Sequence, residues 1–76
     1  IKSMSTICYE ILAEMQKIRG DLNGHGIVLR VNPDIAQVLE KEERGVLRDL
    51  RATLGRDLTL KPDARLHHEQ FDVMAM

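Results

Sequence analysis

The chain has 76 residues, 43% of them apolar and 30% charged, and a formal net charge of −1. That length allows one domain, that composition is a globular one, and that charge gives no overall attraction to nucleic acid or an anionic membrane. The single cysteine excludes an internal disulfide and a four-cysteine zinc site.

No apolar run approaches the ~20 residues of a membrane span, and no basic segment leads an apolar one as in a secretory signal. A cytoplasmic location without membrane contact is therefore expected. A core of this size rarely supplies more than about 3–5 kcal/mol unaided, so support from an oligomer or a longer parent chain is also expected. The sequence opens on Ile1 instead of Met, which favours a piece of a longer protein.

In chain order, the spacing predicts a first helix over Ser5–Leu22. Ile7, Cys8, Ile11, Leu12, Met15, Ile18 and Leu22 recur at helical intervals on one stripe. Ser5 stands ahead of it as a candidate N-cap, and Asn23-Gly24 offers the turn that ends it. Ile27 to Val31 reads as a strand, with Ile27, Leu29 and Val31 on one face and Val28 on the other. Asn32-Pro33-Asp34 combines a capping side chain, a proline suited to the first helical position and a carboxylate near the positive helix end. The short helix it opens turns Ile35, Val38 and Leu39 inward.

Lys41-Glu42-Glu43 is a polar junction. Beyond it Val46, Leu47, Leu50 and Leu54 form a second stripe, with Gly55 placed to end a helix. Leu58 and Leu60 alternate with Thr59 and Lys61 in a second strand that Pro62 closes. After a loop, Phe71, Val73 and Ala75 alternate with Asp72, Met74 and Met76 in a third. The order α-β-α-α-β-β specifies an α+β unit over residues 1–76, a three-stranded sheet with helices packed on one face. The second and third strands are expected to pair antiparallel across their loop.

The chemistry-bearing residues are sparse. His67 and His68 are adjacent, and neighbours on an extended chain point to opposite sides, so with His25 they read as surface histidines and no metal site is expected. Cys8 lies on the apolar stripe, where a thiol behaves as a small hydrophobe. Asp49, Asp57, Asp63, Glu69 and Asp72 are scattered, and Asp72 reads as a solvent-facing strand residue. No catalytic residue is assigned. Arg44, Arg48 and Arg51 recur at intervals of four and three on one helix face, followed by Arg56, and are the candidates for RNA phosphate contacts. Glu42, Glu43 and Asp49 lie among them, and a solvated face laced with ion pairs is the competing reading.

Three stretches taken together carry a resemblance: Cys8-Tyr9-Glu10-Ile11, Asn32-Pro33-Asp34-Ile35-Ala36-Gln37-Val38-Leu39, and Glu69-Gln70-Phe71-Asp72-Val73. In order and spacing they resemble the C-terminal small domain of the ribonuclease E/G family, nearer to its G than to its E members. The resemblance implies a bacterial, single-strand-specific, magnesium-dependent endoribonuclease of RNA processing and decay. It places the metal-binding aspartates, and a cysteine pair sharing zinc between subunits, upstream of this domain. Cys8 is not in a Cys-Pro-x-Cys pattern, so no zinc ligand carries over. Magnesium and zinc are thus implied for the parent protein and no cofactor for this fragment.

The implied role is non-catalytic: homo-oligomeric assembly, with RNA met through the parent. Val28, Met74 and Met76, on strand faces opposite the expected core, are the candidate interface. The alternative is a free-standing KH-type RNA-binding module. That reading needs a Gly-x-x-Gly loop between paired helices, where this chain has Lys41-Glu42-Glu43-Arg44-Gly45.

Overall fold

Ser3 sets the start of the first helix. Its Oγ accepts from the Thr6 backbone N–H at 3.1 Å and its carbonyl oxygen from that of Ile7 at 3.1 Å. In the computed structural model, which describes residues 2–18, 20, 26–55 and 57–75, helix α1 therefore runs Met4–Ile18. The cap is two residues earlier than the Ser5 expected, because the hydroxyl that reaches the free donors is the one just outside the first turn. Ile7, Cys8, Ile11 and Met15 are buried and Leu12 and Ile18 pack partly against them, as the stripe requires. Leu22, the Asn23-Gly24 turn and His25 lie outside the described residues.

Strand β1 (Ile27–Val31) leads into α2 (Pro33–Lys41), whose first turn is capped by Asn32 Oδ1 accepting from the Asp34 N–H at 2.8 Å. The backbone N–H groups of Glu42 and Glu43 both donate to the Val38 carbonyl, at 2.8 and 2.7 Å, closing a tight turn into α3 (Arg44–Leu54). Gly55 ends α3 at φ 110, a conformation L side chains rarely adopt, with its N–H donating to the Arg51 carbonyl at 2.8 Å. Strands β2 (Thr59–Pro62) and β3 (Phe71–Ala75) complete the order α-β-α-α-β-β.

The sheet order is β2-β1-β3. The first strand is central, parallel to β2 and antiparallel to β3. The expected antiparallel pairing of the second and third strands is therefore incorrect, for two physical reasons. The paired helices return the chain to the same end of the sheet, so β2 comes in parallel to β1, as crossover connections do. Residues 63–70 are then too long for a tight hairpin and cross the end of β1. The Asp63 N–H donates to the Val31 carbonyl at 2.7 Å, and Asn32 Nδ2 donates to the Leu66 carbonyl at 2.8 Å. That tether delivers β3 to the far side of β1.

The inward row of β1, Ile27, Leu29 and Val31, has no exposed surface. It meets Ile35, Val38 and Leu39 of α2, Val46, Leu47 and Leu50 of α3 and the α1 stripe in one core, which contains no buried polar or charged residue among those described. The helices cover one face of the sheet and leave the other open.

Candidate nucleic-acid interface and open sheet face

The amphipathic pattern of α3 determines its outer surface. With Val46, Leu47 and Leu50 turned into the core, the same periodicity turns Arg44, Arg48 and Arg51 to solvent. They share a shallow concavity with Glu40 and Leu47. The only described ion pair on this ridge is Arg48 Nε to Asp49 Oδ1 at 3.6 Å, with side chains 80% and 52% exposed. A pair so exposed holds its charges weakly. The structure thus brings three of the four candidate arginines together, while Arg56 lies outside the described residues. Glu43, one of the acids counted against the ridge, is turned towards α1. Its charge is the main cause of a Tyr9 phenol pKa above the ordinary value.

The open sheet face is built by register. Arg30 on β1 lies between Lys61 on β2 and Asp72 on β3, and Val28 lies between Thr59 and Met74. Arg30 Nη2 donates to Asp72 Oδ2 at 2.6 Å and lies 3.5 Å from the Met74 sulfur, while Nη1 is 3.9 Å from Asp63 Oδ2. Asp63 is itself gripped by Arg65, which donates from Nε and Nη2 at 3.1 Å each and from its backbone N–H at 3.0 Å. The Arg65 hydrogen bonds hold the Asp63 carboxyl below its ordinary pKa. Arg30 Nε is buried with no hydrogen-bond partner.

Of the candidate interface residues, Met74 is 44% exposed and Val28 is half-buried, while Met76 lies outside the described residues. Asp72 faces solvent as expected, but as the partner of Arg30. The sequence reading passed over Arg30. Its signal was a lone charge inside an otherwise apolar strand, between Leu29 and Val31.

His67 and His68 lie in the loop before β3 and both line one shallow concavity with Asn32, Leu66 and Glu69. His68 Nε2 lies 2.9 Å from Asp34 Oδ2, and His67 offers its backbone N–H to Gln70 Oε1 at 2.9 Å. Among the described residues no group of three or more His, Cys, Asp and Glu could hold a metal ion. Cys8 is fully buried, and burial, with a smaller push from the Glu43 charge, raises its thiol pKa to about 11. It is a core side chain and too protonated to act as a nucleophile near neutral pH. No described helix is long and apolar enough to cross a membrane.

The whole chain is similar to ribonuclease G of Salmonella typhimurium (strain SL1344) and of Escherichia coli (strain K12), at 26% identity over 76 residues in each case. Ribonuclease G of Haemophilus influenzae is 29% identical over 77 residues. Each match takes in 100% of this chain and 16% of the relative, a domain-sized region. The chain therefore spans about a sixth of the length of the curated relatives it matches. No family model matches it. The end-to-end likeness bears out the resemblance to the ribonuclease E/G family.

Proposed function

We propose that this ribonuclease-family domain is the non-catalytic assembly part, on the C-terminal side, of a bacterial ribonuclease G-type endoribonuclease acting in RNA processing and decay. The observation that carries the reading is the match of the whole chain to a domain-sized sixth of ribonuclease G. Its ionisable groups fit such a role. Asp72, Asp63 and Asp34 are each engaged by a neighbouring Arg30, Arg65 or His68, which suits holding a fold more than moving protons. Chemistry is assigned to the remainder of the parent, which would carry magnesium and zinc and meet RNA in the cytoplasm.

The partner is a second copy of the chain, through the helix-free sheet face with Val28 and Met74. Unlike the covered face, it presents apolar side chains half-buried or exposed beside an edge strand. The KH-type alternative has less support, because Gly45 lies inside the first turn of α3 and the helix junction is closed onto the Val38 carbonyl.

Sedimentation velocity of the chain over a wide concentration range tests the reading. The expected result is a reversible rise in mass that Met74→Lys abolishes, with no cleavage of single-stranded RNA in magnesium. A chain that stays monomeric at every concentration contradicts the assembly role, and magnesium-dependent cleavage contradicts the non-catalytic one.

A further inference from the structure

We infer that the Arg44–Arg48–Arg51 face of α3 is an RNA-backbone contact that reads phosphate charge and not base sequence. The choice of RNA over another polyanion rests on the ribonuclease reading above; the contact itself rests on geometry and charge. At a rise of about 1.5 Å per residue the three arginines span about 10 Å of helix, over which a stacked strand at about 3.4 Å per step presents about three phosphates.

The cations are available. The one described carboxylate in ion-pair range of the ridge is Asp49, 3.6 Å from Arg48 and itself half-exposed. Glu43 is committed to the Tyr9 side of the junction. Bidentate guanidinium forks suit phosphate oxygens, and the shared concavity lets the three converge on one strand. No aromatic residue lines that concavity, so bases have no stacking platform. A membrane surface fits less well, because Val46, Leu47 and Leu50 are buried in the core and α3 presents no fully exposed large apolar side chain to insert.

Fluorescence anisotropy of the full chain with a labelled oligouridine RNA, over a salt series, tests the inference. Three neutralised phosphates on a single strand predict a log K against log salt slope of about −2, or about a 20-fold loss for a fourfold rise in salt. Arg44→Ala, Arg48→Ala and Arg51→Ala should each lower the slope by about 0.7, and the triple variant should lose binding while melting as the parent does. Glu40→Gln should tighten binding, because it removes a carboxylate from the concavity, and Lys17→Ala or Lys61→Ala should leave the slope unchanged.

Binding retained by the folded triple variant, or no binding at the lowest salt, overturns the inference. Equal competition by poly-glutamate also overturns it, by showing a general acid-chain site. Met74→Lys separates the two proposals: a variant that loses self-association but keeps the salt slope leaves this contact standing, and a parent chain that self-associates but binds no RNA leaves only assembly.

Discussion

Arg30 and Asp72 are direct partners across the β1–β3 ladder, and the guanidinium reaches the carboxylate at 2.6 Å. Arg30 is the one charged side chain on a central strand whose other residues are apolar, and it ties β1 to β3 and to the turn at Asp63. Because Asp72 is 49% exposed, solvent screens the pair. A double-mutant cycle with Arg30→Met and Asp72→Asn, followed by urea unfolding, should give a coupling of about 0.2–1 kcal/mol. A coupling of zero would mean the contact does not hold the strands together.

Asn32 does two jobs, and they can be separated. Its Oδ1 caps α2 and its Nδ2 holds the Leu66 carbonyl of the crossing loop. Asn32→Ala should cost about 2 kcal/mol, roughly a cap plus one part-buried hydrogen bond. Asn32→Asp keeps the cap and loses the donor, so it should cost about half as much. No loss in Asn32→Asp would show that the loop tether contributes nothing, and equal losses in the two variants would show the same of the cap.

The two glycines bounding α3 should respond with opposite signs. Gly55 sits at φ 110 in open space, so Gly55→Ala should destabilise by about 1–3 kcal/mol through backbone strain alone. At Gly45 an added Cβ would meet only the Arg48 side-chain tip, at 4.0 Å. Gly45→Ala should stabilise by about 0.5–1 kcal/mol through helix propensity and should leave RNA binding intact. Loss of RNA binding in that variant would restore the glycine-loop reading.

Cys8 links burial to pH. Its thiol is raised from 9.0 to about 11 in the folded chain, first by burial, so between those values the unfolded state gives up a proton that the folded state keeps. The stability this supplies is fully present below about pH 9 and falls as pH rises towards 11. Cys8→Ala should flatten that part of the stability profile, and iodoacetamide should label the native chain at neutral pH only through unfolding. Fast native-state labelling would contradict the burial.

Where the fold was legible in the sequence, the information was local. Asn32-Pro33-Asp34 starts α2 as read, the Val46, Leu47 and Leu50 stripe faces the core, and Gly55 ends α3, because caps and helical periodicity are set by residues within a few positions of one another. Ser3 and Ser5 could each have capped α1, and the pattern of apolar residues does not distinguish them. Strand pairing was not legible, since it depends on where residues 63–70 are tethered, and the tethers are Asn32 and Val31. Arg30 escaped notice for the same reason: its partner Asp72 lies 42 residues away in sequence. The arginine ridge was legible because its spacing is that of the helix itself. That Glu43 is turned away from it was not, because Tyr9 belongs to another element.

The most direct test of the central claim is to read the coding sequence upstream of Ile1. An in-frame extension of hundreds of codons carrying a Cys-Pro-x-Cys pair and separated aspartates is the predicted result, and would make this chain the small domain of a zinc-linked ribonuclease. An initiator methionine within a few codons would contradict it and leave a free-standing module whose function rests on the α3 arginines.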